Sequence, residues 1–461
     1  MTAEPLIVPL QLERASLLKL HAAFPERYPA LLESAASGRP LGCYDILFAY
    51  PRDTLVLNAS GRRSSSTALP GQARTFLEAL DAWFERERTS AVDVPLPFRG
   101  GWFLFLGYEL ASEIEPRLQL PRPTTGPIAA AVRVPAGIVF EHESQQAWIV
   151  AEADAHEAIE WIRADVDAIA RVRDAAPETL IEEKVLEDLP ERFIVAVERA
   201  LEYIAAGDIY QANLSRAWRA KAREGVRAHH IYRRLRETNP APFAALAAVA
   251  GLTIVSSSPE RLVCVDTDRQ ISTRPIAGTR PRGADAGSDQ SLAQELRAHP
   301  KERAEHVMLL DLERNDLGRI CAAGTVEVNE LMVLESYAHV HHIVSNVRGR
   351  LRPEIRPGEV LRAVFPGGTI TGCPKIRCMQ IIAELEGEPR GAYTGSLGYL
   401  NRDGSMDMNI LIRSLELDGR DIVLRAGAGI VADSVPRREL EETRAKARGV
   451  LRALSRSEDA T

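Results

Sequence analysis

The segment from Phe365 to Lys375, FPGGTITGCPK, constrains the fold of this chain more than any other. Glycines let backbone N–H groups approach a ligand closely, and concave runs of such groups suit anions. Pro374 fits the first turn of a helix, where its missing N–H costs nothing, and apolar residues follow it. A helix N-terminus at that point favours a carboxylate or phosphate. The same residues also make an ordinary strand–turn–helix junction, so the reading depends on what else the chain carries.

Bulk properties narrow the choice. At 461 residues and 45% hydrophobic, the chain can bury a sizeable core, as one large α/β body or as two or three domains. A net charge of −7, with no basic tract, argues against general nucleic-acid binding. The N-terminus MTAEP lacks a signal-peptide pattern. The longest apolar stretch, Phe243 to Val255, is too short to span a bilayer, so no membrane association is expected. The odd, scattered cysteines (Cys43, Cys264, Cys321, Cys373 and Cys378) suit reduced thiols in a cytoplasm. Cys373 and Cys378 lack the second pair that a zinc site needs.

Residues 1–170 read as short β-like runs and loops, with Gly61 to Thr67 as a mobile surface loop. The charged stretch from Arg171 to Glu191 reads as a connection. Beyond it, Ile194, Val197, Leu201 and Ile204 recur at helical spacing, and Gly207 stops the helix. Ile209 to Arg216 alternates as a strand, with Gln211, Asn213 and Ser215 on one face and Tyr210, Ala212 and Leu214 on the other. That polar row faces either solvent or a site.

Several clusters carry chemistry. Glu302 and Glu305 share a helical face, and Glu439, Glu442 and Lys446 form a stripe on the last helix. Each stripe is either surface charge or half of a Mg²⁺ site, since that hard cation prefers oxygen ligands. Glu260, opening a strand-like run, is a general acid or a salt-bridged turn residue. Arg274 to Gly283 looks like a Gly/Pro-shaped loop. Among His339, His341 and His342, alternation separates the last two, so one histidine facing a site is more economical than a metal cluster. Arg413, at strand spacing opposite Ile410 and Ile412, forks onto a carboxylate or is exposed. Arg425 to Ile430 is a third glycine-rich patch.

Taken in order, GDIYQANLS from Gly207, SPE from Ser258, RPIAGT from Arg274, the Glu302/Glu305 helix, LERNDLG from Leu312, HVHHIVS from His339, the Phe365 segment, RAGAGIVADS from Arg425 and EET from Glu441 resemble the chorismate-utilising enzymes. The match covers about 190–455. It implies an α/β (α+β) fold with a large core of two antiparallel sheets packed face to face and helices outside. Residues 1–185 would form an N-terminal subdomain intertwined with the core, and 186–461 the chorismate-binding catalytic portion. By resemblance, Glu305 and Glu442 ligate Mg²⁺, with Glu302 and Glu439 as support. Thr369, Gly427, Gly429 and Lys446 hold the ring-carboxylate and metal region. Gly278 and Thr279 join the substrate-binding set, and Tyr393 and Arg413 hold the enolpyruvyl carboxylate. Glu260 protonates the departing C4 hydroxyl, which needs a raised pKa. His342 orients or transfers a proton beside the ring.

Three positions separate the branches of the family. Gln211 stands where water-adding members resemble one another in carrying a lysine base. A glutamine cannot deprotonate water near neutral pH, which favours ammonia. Ala277 stands where many aminodeoxychorismate synthases carry a nucleophilic lysine, and IAGT there resembles anthranilate synthases. Asn213, the GGTITG run from Gly367, and the N-terminal YDI, LPFRGG and GYE runs resemble aminodeoxychorismate synthases. The balance favours aminodeoxychorismate synthase component I, making 4-amino-4-deoxychorismate for 4-aminobenzoate and folate. Anthranilate synthase component I is the alternative, and a non-catalytic scaffold for a glutaminase is a third reading from another class. With alanine at 277, either ammonia adds at C2 directly, without a lysyl adduct, and a second displacement at C4 follows, or another group serves as the C2 nucleophile.

No Gly-x-Cys-x-Gly segment is present, so a separate glutamine amidotransferase subunit is implied as the ammonia source. Leu31 to Ser34 (LLES) resembles the segment with which anthranilate synthases bind tryptophan, which implies a tryptophan pocket near Ser34.

Overall fold

The strand Gly101–Leu106, GWFLFL, is apolar after its glycine and buried throughout, the signature of a strand covered on both faces. Phe103 and Phe105 point into a layer shared with Ile46, Phe48, Val139, Ala245, Ile254 and Leu397. Trp102, Leu104 and Leu106 point the other way, against Phe76, Leu80, Trp83, Leu361 and Val364. The ring of Phe48 meets those of Phe98 and Phe103 at 4.9 and 5.4 Å between centroids. Each such side chain contributes roughly 1.5–3 kcal/mol by burial. A one-residue slip would exchange the two faces and mismatch both layers, so this strand fixes the register of the sheets around it.

The computed structural model describes residues 4–35, 43–68, 73–92, 94–170, 177–283, 285–336 and 340–455. Two large antiparallel sheets pack through the layer just described. One runs in the order Leu6–Leu10, Gln146–Ala151, Ala136–Glu141, Tyr44–Ala49, Ala30–Glu33, Phe243–Val249, Leu252–Ser258, Ser414–Asp418, Asp421–Ile430, Gln211–Lys221, Leu186–Glu187. The other runs Ile276–Pro281, Val340–Arg350, Gln270–Arg274, Arg261–Val265, Met406–Asn409, Ser396–Asn401, Gly101–Leu106, Pro127–Val134, Thr54–Asn58, Arg63–Ser65, with Glu327–Ser336 also on Val340–Arg350. Helices Ala15–Ala23, Glu157–Ile169, Ala228–Thr238 and Pro436–Leu454 cover the first sheet. Helices Phe76–Glu87, Pro300–Gly318 and Pro357–Val364 cover the second. The two-sheet core with outer helices agrees with the expected fold class. No helix among the described residues is long and apolar enough to cross a membrane.

Local expectations fail in three places. Residues 1–170 hold helices as well as strands. Phe76–Glu87 starts at a capping box in which Thr75 Oγ1 accepts from Glu78 N at 3.2 Å and Glu78 accepts from Thr75 N at 3.3 Å, a T-x-x-E signal present in the sequence. The segment 61–67 contributes a short exposed edge strand, Arg63–Ser65, because Leu55–Leu57 offers it a ladder. Gln270–Arg274 and Ile276–Pro281 are strands on Val340–Arg350, so the Arg274 segment is not a loop. Within the charged connection, Leu186–Glu187 pairs with Trp218–Arg219; residues 171–176 lie outside the description.

One buried ion cluster ties together the elements that carry the polar strand. Glu386, at the end of the helix Lys375–Glu386, accepts from Arg390 Nη2 at 2.7 Å and Arg425 Nη2 at 3.2 Å, and from Ser215 N at 2.7 Å. Arg390 also donates to the carbonyls of Asn213 at 2.6 Å and Ile370 at 3.2 Å. Burial opposes the charge on Glu386, yet Arg390 and Arg425 hold its carboxyl below the ordinary value. Removing one partner of such a cluster strands the others. Glu386→Ala is therefore expected to cost about 3–5 kcal/mol in urea unfolding, with Glu386→Gln milder because the amide oxygen still accepts from Ser215.

Candidate active site

The polar strand builds the floor. Gln211, Asn213 and Ser215 are buried, not solvent-facing, while Leu214 packs under the helix Pro190–Ala205. Across the ladder, Asn213 pairs with Gly429 and Ser215 with Gly427. These glycines make room for the side chains of the site. A Cβ on Gly427 would lie 2.6 Å from Asn213 Oδ1 and 2.7 Å from the Tyr393 hydroxyl oxygen. A Cβ on Gly429 would lie 2.5 Å from Gln211 Nε2. Gln211 Oε1, Asn213 Oδ1 and Thr369 Oγ1 are buried with no hydrogen bond of good geometry. Native proteins rarely leave such atoms unpaired without a reason, and a bound ligand is one.

The Phe365 segment closes one side. Gly368–Ile370 forms a single 3₁₀ turn, and Gly372 and Cys373 pair with Ala212 and Gln211. Gly372 has φ +129°, and a Cβ there would sit 2.1 Å from the Gln211 carbonyl oxygen, so only glycine permits this contact. Pro374 lies just outside the helix it was expected to begin, and Lys375 at its first position pairs with Asp316 at 2.5 Å.

Glu260 is buried against this turn, and burial pushes its carboxyl up to about 7. The Thr369 hydroxyl and the Ile276 N–H, 3.4 Å away, pull the other way, as does Lys446. Such a carboxyl can hold and release a proton near neutral pH. Ala277 and Gly278 lie on the strand Ile276–Pro281, where the register slips between Ala277 and Thr279. Gly278 takes φ +73° at that irregularity, and the Thr279 backbone stands opposite His342; the Thr279 side chain lies outside the description. His342 is buried, held down to about 4 by burial and then by Arg413, so its imidazole is neutral. His341 points elsewhere, to Asp289 at 2.9 Å and Ser336 at 2.7 Å. His339 lies outside the described residues.

Arg413 departs from strand spacing. It sits at φ +54° between strands, and its Nη1 donates to the Lys446 carbonyl at 3.0 Å. Burial lowers its guanidinium from the ordinary value, while Tyr393 and Glu442 lie close enough to oppose that. Burial pushes the Tyr393 phenol up to about 12.

The two carboxylate stripes do approach each other. Glu305 accepts from Gln211 Nε2 at 2.8 Å. Its carboxyl is raised by burial, with Glu302 and Glu442 adding like charge and Gln211 and Lys446 opposing. Lys446 Nζ pairs with Glu442 at 2.8 Å and donates to the Gly427 carbonyl at 3.0 Å. Arg280 reaches Glu302 at 3.4 Å, and Glu439 is buried one turn before Glu442. Among the described residues no three His, Cys, Asp or Glu side chains already converge as a metal cage. An oxygen-only, carboxylate-rich donor set still fits Mg²⁺, which keeps several waters and shares its shell with an anionic substrate.

Sequence reasoning passed over Glu313, Glu386 and Arg390. The first lay inside the LERNDLG run without a role, and nothing in spacing marks the other two as buried. Ser34 stands apart, on the wall of a cavity of about 240 Å³ with Leu32, Tyr44, Phe243, Tyr399 and Asn409. Its hydroxyl donates to the Pro242 carbonyl at 3.0 Å.

Comparison with known proteins identifies the family. Residues 30–452 match the chorismate binding enzyme family. Anthranilate synthase component 1 of Synechocystis sp. is 40% identical, covering 93% of this chain and 91% of that one. Aminodeoxychorismate synthase component 1 of Bacillus subtilis is 38% identical, covering 94% and 93%. The crystal structure of anthranilate synthase component I from Streptococcus pneumoniae superposes with a TM-score of 0.77 at 32% identity, covering 90% and 94%.

The raised Glu260 carboxyl has a thermodynamic signature. Its folded value of about 7 exceeds the unfolded one. Its contribution to stability is therefore complete below the unfolded pKa and lost as pH rises through about 7. Urea unfolding from pH 5 to 8 is expected to show Glu260→Gln losing less stability than the wild type, by more than about 1 kcal/mol.

Proposed function

We propose that this chain, which belongs to the chorismate binding enzyme family, is the synthetic subunit of an aminodeoxychorismate synthase, converting chorismate and ammonia to 4-amino-4-deoxychorismate. The observation that carries the reading is the strand pair Gln211 and Asn213. Gln211 spends its amide N–H on Glu305 and offers no base for water. Asn213 presents an unpaired oxygen beside the Tyr393 hydroxyl, able to accept from an amine or hydroxyl of a bound ring.

In this reading Tyr393 and Arg413 hold the enolpyruvyl carboxylate, and Thr369, Gly427, Gly429 and Lys446 surround the ring-carboxylate region. Gly278 and Thr279 line the substrate edge. Glu260 gives its proton to the C4 hydroxyl as ammonia adds at C2 and the C4–O bond breaks, a second ammonia then adds at C4 and displaces the C2 amine, and neutral His342 orients the ring without adding charge. Glu305 and Glu442 would hold Mg²⁺, with Glu302 and Glu439 behind them. That ion would neutralise the ring carboxylate. Ammonia would come from a glutamine amidotransferase subunit, delivered into a site where few waters compete.

A second reading, anthranilate synthase component I, draws on Ala277, which leaves no lysine for a covalent adduct. Gly368, part of the GGTITG run that favours the first reading, also packs against the helix Pro300–Gly318, where a Cβ would lie 2.5 Å from Leu312 Cδ2.

The Ser34 cavity supports a tryptophan pocket, since apolar and aromatic walls surround it while Arg261 and Asp407 add charge at one side. Calorimetric titration with tryptophan is expected to release heat, and Phe243→Ala to weaken it; a flat thermogram removes the pocket from this reading.

Incubation with chorismate, Mg²⁺ and ammonium, followed by chromatography and mass spectrometry, tests the main reading. The expected product is one that a separate lyase converts to 4-aminobenzoate. Pyruvate with fluorescent anthranilate would transfer the chain to the second reading. Glu260→Gln is expected to lower kcat by about 10²–10⁴-fold.

A further inference from the structure

We propose that Ser258 is a positioning residue for Glu260: its hydroxyl fixes the point at which the acid leaves one sheet for the other, and so sets the acid's place relative to Arg413. The inference rests on the role given to Glu260 above. The strand Leu252–Ser258 belongs to one sheet and Arg261–Val265 to the other, so the chain crosses between them at Pro259 and Glu260. A second crossing runs alongside. Met406–Asn409 lies in the sheet of Arg261–Val265, Ser414–Asp418 lies in that of Leu252–Ser258, and 410–413 connects them. Ladder pairs close both ends, Ser256 with Ser414 and Arg261 with Asn409. Between those pairs, 257–260 on one side and 410–413 on the other run outside the ladders. The first crossing carries Glu260 and the second Arg413.

Buried backbone groups that leave a ladder must find other partners. Two of them bridge the crossings directly: Ser257 N donates to the Arg413 carbonyl at 3.1 Å, and Ile410 N to the Glu260 carbonyl at 3.0 Å. Ser258 supplies the third link. Its hydroxyl donates to the Ile410 carbonyl at 2.5 Å and accepts from Glu260 N at 3.3 Å, and a serine hydroxyl can do both at once. Pro259, between them, has no N–H to offer. The Ile410 carbonyl also accepts from Ile412 N at 3.0 Å, which carries the clasp to the residue before Arg413. Beyond Glu260 the ladder gives less support, because the register slips after Arg261 against both of its neighbouring strands. Ser258 is fully buried and both bonds of its hydroxyl are to backbone, so it acts through Glu260 and not on a substrate. Ser256, in the same run, is equally buried, but its hydroxyl meets that of Ser414 at 2.7 Å, away from Glu260.

A double-mutant cycle on turnover of chorismate with Mg²⁺ and ammonium tests this. Ser258→Ala leaves Glu260 N–H unpaired and lets the crossing shift. Its kcat is expected to fall by roughly ten- to a hundredfold, as slight misplacement of a reacting group does, with the chorismate KM held within about twofold. Added to Glu260→Gln, the same substitution is expected to lower kcat by less than about twofold, because the group it positions is gone. Ser256→Ala is the control: whatever factor it has in the wild type, it should keep in Glu260→Gln. Equal loss from Ser258→Ala in both backgrounds overturns the proposal, as does a wild-type kcat that Ser258→Ala leaves unchanged. Ser256→Ala coupled to Glu260 as strongly also overturns it, since any damage to the strand would then suffice. Should Ser258→Ala fail to fold, Ser258→Cys, whose thiol donates and accepts weakly, enters the same cycle with a smaller loss and the same non-additivity expected. Full turnover by Glu260→Gln removes the functional reading and this proposal with it; a slow Glu260→Gln with an additive cycle removes the proposal alone.

Discussion

The carboxylate of Glu386 is the point on which the geometry of the floor depends. It is buried, and two arginines and a serine converge on it. Charges taken out of water are tolerated only when their partners are fixed, so none of these groups can move alone. Arg390 carries that fixity outward by gripping the carbonyls of Asn213 and Ile370. The polar strand and the glycine-rich turn thus meet at a set distance. Around them, Glu109 accepts from Arg390 N at 2.7 Å and Glu416 from Ala392 N at 2.5 Å, pinning the loop that delivers Tyr393. Rigid placement of this kind lets Gln211 and Asn213 keep unpaired oxygens on the polar strand.

Glycine serves two purposes here that a sequence does not distinguish. Gly427 and Gly429 are small because side chains of the site, joined at Gly427 by the Leu214 carbonyl, fill the volume a methyl would need. Gly368 is small because Leu312 packs against it, and Gly372 because a neighbouring carbonyl passes within reach. The same letter in one motif therefore marks a binding surface in one case and a helix contact in another.

Much was nonetheless legible in the sequence. The helix of Ile194, Val197, Leu201 and Ile204 spans Pro190–Ala205, and the alternation from Ile209 becomes the strand Gln211–Lys221. Both follow from periodicity, which depends on local spacing. The burial of the polar face did not follow, because alternation identifies two faces without saying which one water reaches. Arg413 looked like a strand residue since its neighbours alternate; its positive φ is imposed by the chain crossing between sheets. Glu386 and Arg390 are four apart on what reads as an ordinary charged helix end. Only tertiary packing, with Arg425 arriving from another strand, turns them into a buried pair.

The order of strands in the sheets bears on how the chain comes to be folded during synthesis. Ala30–Glu33 pairs with Phe243–Val249, and Gly101–Leu106 with Ser396–Asn401. Gln211–Lys221 waits for Asp421–Ile430. A nascent chain that has left the ribosome only as far as residue 200 therefore carries unpaired strand edges whose partners are not yet made. Such edges invite pairing with other chains. Late, long-range closure of this kind slows folding and exposes the intermediate to aggregation. The topology therefore leaves the edges of the growing chain open until its last strands are made.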